Sequence, residues 1–384
     1  MTASLSREEL CAVMERVQVA ALVKSGAVGS VFLHGLFDQH EEVATIPTFW
    51  IHDFYANDDA VLSPETYLDL VVRNTACLNL KEYYSLREAH EIDREAFCAL
   101  FFSLCQTYGT CKRKEYFLLF HIALFLLRGR KIENLTLILV HLHWASGSVS
   151  TERNPQGGRV SYLRDPEKIS QDFQKIRFVN LIRNPVHEIE SSRGKEHYAS
   201  HTLMCTFIHR TFYWNHVHHT LSCGSPVFLL KTPDLHHHFD AVMKALSAFL
   251  GITYNPALRE STFWGNVYAT PGKQKVLTNG PNPDFADYKG GLISEYEVAI
   301  SRFFFRTPLT KFFPEVTISA RWTDYLRQLG FYVLCTLHFC KNWDWLWDYH
   351  GFFPLFLRHY PTLRKFQSLD ISHVKTYENM EVRA

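Results

Sequence analysis

The run Val19-Ala20-Ala21-Leu22-Val23-Lys24-Ser25-Gly26-Ala27-Val28-Gly29-Ser30-Val31-Phe32-Leu33 decides the fold. Its first part belongs to a near-continuous apolar segment, residues 17–23, of the kind a strand shows when both its faces are covered. Glycine and serine interrupt the run, and an apolar helical pattern over 30–39 follows. Strand, glycine-containing loop and helix together present backbone amides and a helix's positive end to an anion. Lys24 adds a mobile cation, while Ser25, Gly26, Gly29 and Ser30 form the cradle. Ser30 is placed to cap the helix and to offer a hydroxyl. No Lys-Ser/Thr pair follows the second glycine, so this is not the common nucleotide-triphosphate loop. An ordinary strand-to-helix turn would use the same residue types, so the loop alone does not establish a site.

Three further apolar runs read as strands, over 135–143, 176–182 and 226–230. Helical patterns separate them: several between 64 and 128, then 166–175, 185–192, 198–221 and 239–250. Gly251 closes the last as a C-cap. Strands alternating with helices predict an α/β fold, a P-loop-like parallel sheet flanked by helices. Ligands of such sheets bind beyond the carboxyl ends of the strands. Residues 147–158 and 269–283 carry Gly and Pro and read as long loops that can act as lids. The N-terminus reads as a capped helix start, from Ser4 to Glu9. After about residue 315 the pattern changes, and Trp322, Trp343, Trp345, Trp347, Phe352 and Phe353 crowd the tail. The reading is a nucleotide-binding domain over 1–315 and an aromatic-rich helical C-terminal extension over 316–384.

Composition narrows the function. The 384 residues carry 40 Lys plus Arg and 39 Asp plus Glu, a net charge of +1. A nucleic-acid partner is therefore not expected, and any phosphate site must be local. A 47% hydrophobic and 15% aromatic content excludes global disorder. Nine cysteines, without CxxC spacing, read as free thiols in a reducing cytoplasm. The N-terminus lacks the apolar core of a secretory signal. Two apolar runs, 116–127 and 329–340, fall short of the roughly 20 residues that a spanning helix needs. Buried core helices are the plainer reading and peripheral membrane contact the sharper one. His216, His218 and His219, and the run His236-His237-His238, lack the spacing of a closed metal set and read as solvated or capping residues. No metal is expected.

A second anion site follows the strand over 176–182, which ends in Arg183-Asn184-Pro185. Pro185 suits a first helical position, and Ser191 lies about two turns into that helix. A guanidinium grips phosphate through two parallel hydrogen bonds while a hydroxyl donates to another oxygen. The strand over 135–143 ends in His141-Leu142-His143. The two histidines lie two residues apart, on one sheet face, and their ordinary pKa suits a base near neutrality. Hydrogen-bonded structural histidines are the plainer reading of the same pattern.

These motifs, in this order, resemble the sulfotransferases that use 3′-phosphoadenosine 5′-phosphosulfate (PAPS). The Lys24-Ser25-Gly26 loop is similar to their 5′-phosphosulfate loop. Residues 178–191 resemble their 3′-phosphate motif, with an Arg and a Ser at the same separation of eight. Asp234-Leu235 followed by Phe249-Leu250-Gly251 resembles their later strand, turn and helix. Trp264-Gly265-Asn266 with Pro271-Gly272-Lys273 is similar to the loop that closes over the nucleotide. One register stays open. Counting back from Asp38 and His40 puts the family's loop glycine at Gly29, with Ala27 and Val28 where the family has a basic residue and a serine. Counting from Lys24 makes the loop longer.

The resemblance implies a PAPS-dependent sulfotransferase acting on a hydroxyl or amine of an apolar or aromatic, small-molecule or lipid-like acceptor. Lys24 would neutralise the leaving oxygen, and the loop with Ser30 would hold the 5′-phosphate. Arg183 and Ser191 would hold the 3′-phosphate, with Gly272 and Lys273 closing over the nucleotide. His143 would be the base, with His141 or a carboxylate, Glu41 or Glu42, as alternatives. The rival readings are a nucleotide kinase and a non-catalytic nucleotide-binding or membrane-surface protein on the same scaffold.

Overall fold

In the computed structural model of the chain, the residues described are 5–24, 29–50, 62–74, 93–143, 165–193, 203–267, 280–285, 291–315, 330 and 362–380. Five strands build one sheet: β1 (Gln18–Lys24), β2 (Val43–Trp50), β3 (Leu137–His143), β4 (Arg177–Ile182) and β5 (Val227–Lys231). They lie in the order β2-β3-β1-β4-β5, and every pairing is parallel. The chain leaves the central β1 for β2, returns to β3 beside β1, then crosses to β4 on the other side. The order reverses around β1, and a parallel sheet opens a crevice at its carboxyl end where this happens.

Helices cover both faces, as the alternating pattern required. One face packs Val19, Ala21, Val23, Ile138 and Val140 against α4 (Arg94–Tyr108), α5 (Arg113–Leu127) and α8 (Leu203–Ser222). The other packs Ala20, Leu22, Leu137 and Leu139 against α2 (Ser30–Leu36) and α10 (Phe239–Leu250). Odd and even positions of one strand serve opposite cores, which is why these strands read as near-continuous apolar runs. The apolar run over 116–127 is α5, a core helix buried on nearly every side. No described helix is long and apolar enough to cross a membrane. Apart from Gly330, the run over 329–340 lies outside the described residues, as do the six tail aromatics.

The remaining described helices are α1 (Arg7–Arg16), α3 (Pro64–Asn74), α6 (Asp165–Asp172), α7 (Pro185–Arg193), α9 (Thr232–His237), α11 (Glu295–Phe304), α12 (Arg306–Phe312) and α13 (Thr362–Lys365). A two-stranded hairpin, β6 (Thr262–Phe263) and β7 (Asn266–Val267), stands apart from the main sheet. Two expectations need correction. The first helix is capped by Ser6, not Ser4: Ser6 Oγ accepts from Glu9 N at 3.2 Å, and Glu9 Oε2 accepts from Ser6 N at 2.8 Å. That reciprocal pair needs a separation of three, which Ser4 does not have. β2 was not foreseen at all.

The chain's last described stretch returns to the sheet. Leu229 N donates to Lys375 O at 2.8 Å, and Lys375 N donates to Val227 O at 2.9 Å. This covers the outer edge of β5. Phe366 packs edge-on to Trp214 with ring centres 5.7 Å apart. Leu363, Phe366 and Val374 join the first core.

Candidate functional site

The loop after β1 delivers Gly29 with φ +81° and ψ 13°, a left-handed conformation that costs glycine almost nothing. Gly29, not Ser30, occupies the cap position of α2, and no side chain caps the helix there. Ser30 is instead buried in the first turn. The backbone requirement for a left-handed residue displaced the expected serine cap. Ser25 and Gly26 lie outside the described residues, as do Gly272, Lys273 and both expected lids apart from residues 280–283 of the second.

β4 ends at Ile182, and Arg183 follows at the rim, half-buried. Asn184 then caps α7 by accepting Val186 N on Oδ1 at 3.0 Å, and Pro185 takes the first helical position as expected. Burial pulls the Arg183 guanidinium below its ordinary pKa, Glu188 and Glu190 raise it, and Arg210 lowers it again. Ser191 lies two turns into α7 and is half-buried. Its neighbour Ser192 is committed to the interior: its Oγ donates to Glu188 O at 2.9 Å and accepts from Arg210 Nη2 at 2.5 Å. Glu188 has no exposed surface and pairs through Oε1 with Arg210 Nη1 at 2.7 Å. Burial pushes its carboxyl up to about 7, against the pull of Arg210 and Arg183.

β5 brings a third group. Thr232 Oγ1 donates to Ile182 O at 3.2 Å, at the residue just before Arg183. A Cβ on Gly29 would stand 3.5 Å from Thr232 Cγ2. The ends of β1, β4 and β5 therefore meet around Gly29, Arg183 and Thr232. One turn beyond Thr232, the His236 ring stacks on Phe32 of α2, with centres 5.2 Å apart and planes 23° apart. Asn282 N donates to His236 Nδ1 at 3.2 Å. Burial, then Arg183 and His237, lowers its pKa to about 4, so the ring is neutral. A solvated or capping role was expected for this residue, yet it is nearly buried at the crevice. A run of three histidines gave no sign of which one turns inward.

On the other side of β1, Lys24 and His143 are register partners at the last positions of β1 and β3. The pairing puts the expected cation and the expected base side by side in the backbone. His141 pairs with Leu22 inside the sheet and has no exposed surface. Its ring lies 4.0 Å from that of His34, centre to centre. His34 Nε2 in turn contacts Thr45 Oγ1, and lies 3.2 Å from Leu139 O. His141 thus lies away from solvent in this structure.

The carboxylate alternatives are at the wrong end. Glu42 precedes β2, and its backbone oxygen accepts Thr136 N and Leu137 N, at 3.0 and 3.1 Å, where β3 begins. Its carboxylate accepts Thr253 N at 2.8 Å and Thr253 Oγ1 at 2.7 Å. Glu41 and Glu42 thus stand at the amino ends of the strands, a sheet length from Lys24. Asp38 is structural too. It accepts from Arg128 Nη1 at 2.8 Å, Thr262 Oγ1 at 2.8 Å and Gly265 N at 2.8 Å. Burial raises its pKa, but Arg128 and these hydrogen bonds more than offset that and hold it low.

No protein-family model matches the chain, and no curated protein matches it. Solved structures similar to it include two sulfotransferase domains. One is the sulfotransferase domain of the Synechococcus PCC 7002 olefin synthase, at 14% identity and a TM-score of 0.43, over 75% of this chain and 94% of that one. The other is the sulfotransferase domain of the curacin biosynthetic pathway, at 14% identity and a TM-score of 0.41, over 75% of this chain and 96% of that one.

Proposed function

We propose that this chain is a sulfotransferase that moves a sulfuryl group from PAPS to a hydroxyl or amine of an apolar or aromatic acceptor. The observation that carries the reading is the meeting of Gly29, Arg183 and Thr232 at the carboxyl ends of β1, β4 and β5, with Lys24 and His143 paired one strand away. The donor supplies an activated sulfuryl group on a phosphate. A left-handed glycine that lets backbone approach an anion and a half-buried guanidinium at the rim suit its two phosphates.

The roles follow from charge. Arg183 and Ser191 take the 3′-phosphate, and Gly29 and Ser30 take the 5′-phosphate. The bond from sulfur to the phosphate oxygen breaks as the bond from sulfur to the acceptor oxygen or nitrogen forms. Lys24 meets the negative charge left on the phosphate oxygen. The acceptor's proton passes to His143. Such in-line transfer asks the protein for positioning and charge stabilisation more than for covalent chemistry.

The test is nucleotide preference. At 100 times its Kd, 3′-phosphoadenosine 5′-phosphate is expected to stabilise the fold by about 2.7 kcal/mol in a thermal-shift titration. Arg183→Ala should remove about tenfold or more of that affinity, since a hydrogen bond to a charged group is worth about 1.5–3 kcal/mol. Stabilisation by ATP alone, or by neither nucleotide, would sink the proposal.

A further inference from the structure

We infer that His236 is a specificity-determining residue, whose Nε2–H donates to the same anionic group that Arg183 holds. The inference rests on the reading above, in which that group is the donor's 3′-phosphate. The geometry fixes the ring on two sides. Phe32 stacks on its face, and the Asn282 amide donates to Nδ1 at 3.2 Å. A nitrogen that accepts a backbone N–H carries no proton, so the proton of the neutral ring sits on Nε2. Among the described residues, Nε2 has no hydrogen-bond partner. The residue as a whole is only 9% exposed, and these two contacts hold its one remaining donor in place.

The surroundings say what it would meet. Thr232 and His236 are four residues apart and share a face of α9. Thr232 touches the end of β4 at Ile182 O and faces Gly29, and His236 covers Phe32, three residues past Gly29. The charged and titratable groups near the ring are Arg183 and His237. Arg183 supplies the attraction for an anion, and a neutral imidazole beside it adds direction without a second positive charge. A protonated histidine would repel Arg183, whereas a neutral donor leaves it undisturbed.

Two substitutions separate this role from packing. His236→Phe keeps a ring against Phe32 and removes both nitrogens. His236→Gln restores an amide N–H near the place of Nε2. Affinities for 3′-phosphoadenosine 5′-phosphate and for adenosine 5′-monophosphate are measured by calorimetry on the full chain. The expected result is that His236→Phe weakens the bisphosphate about tenfold, as one hydrogen bond to a charged acceptor supplies. The monophosphate should change less than about twofold, and His236→Gln should recover most of the loss. Equal loss of both nucleotides, no loss of either, or no recovery by Gln would overturn the assignment. The parent protein separates the two levels: if it does not prefer the bisphosphate over the monophosphate, the Arg183 reading has failed first.

Discussion

A carboxyl group with no exposed surface, Glu188, faces two guanidinium groups, Arg210 in a direct ion pair and Arg183 across the crevice rim. Burial disfavours its charge and the cations favour it, and burial wins, so the carboxyl titrates near 7 instead of 4.5. The native protein therefore keeps this proton up to about pH 7, while the unfolded chain releases it near 4.5. Between those values the native state holds the extra proton, so its stability falls as pH rises and levels off above 7. Glu188→Gln should remove that slope. His121, wholly buried, works in the opposite sense: its folded value of about 4 lies below 6.5, so its contribution is lost as pH falls. The measurement is thus a difference, urea midpoints of the parent against Glu188→Gln from pH 5 to 8. A difference that does not change with pH would mean that Arg210 keeps Glu188 ionised. None of this was legible in the sequence. Arg183 was, because a strand end followed by Asn-Pro announces a rim position. Glu188 and His236 were not, because their roles come from which face of a short helix turns inward.

At the scale of elements, the apolar runs identified β1, β3, β4 and β5, whose two covered faces leave no polar alternation. β2 escaped because it contains Pro47, and a proline within a run argues against a strand. The sheet resolves this: among the described residues β2 pairs only with β3, and its register shifts between Thr45 and Trp50. An edge strand tolerates a residue that cannot donate. The packing of α2 was equally hidden. Ser261 Oγ donates to Phe32 O at 3.0 Å, and a Cβ on Gly35 would come within 2.9 Å of Thr262 O. Two effects compete in Gly35→Ala. Helix propensity favours alanine by about 1 kcal/mol, whereas forcing a methyl into a filled contact costs about 1–3 kcal/mol. The contact is to backbone, which cannot rotate away, so packing should outweigh propensity and the variant should be up to about 2 kcal/mol less stable. Chemical denaturation decides it, and a gain in stability would show that the hairpin yields freely.

For the whole molecule, the near-zero net charge and the high aromatic content take on different meanings. On the function proposed above, the positive charge that a nucleotide needs is local, at Arg183 on the rim and at Lys24 at the end of β1. The aromatic content serves a core that the end of the chain helps to close. Residues 362–380 place Leu363, Phe366 and Val374 in the core, set Phe366 edge-on against the stacked pair Trp214 and Phe312, and lay Lys375 along β5. Each such side chain contributes about 1.5–3 kcal/mol when fully buried. Removing residues 362–384 would also leave the N–H of Leu229 and the C=O of Val227 unpaired, and an open strand edge invites pairing with other chains. The truncated chain should lose several kcal/mol and should aggregate under conditions where the full chain does not. Restoring the removed residues as a separate peptide should reverse part of both effects, since the contacts need no covalent link. Denaturation midpoints and light scattering read the two losses independently. An unchanged midpoint would mean that α8, α12 and the edge of β5 close over one another without the C-terminal strap.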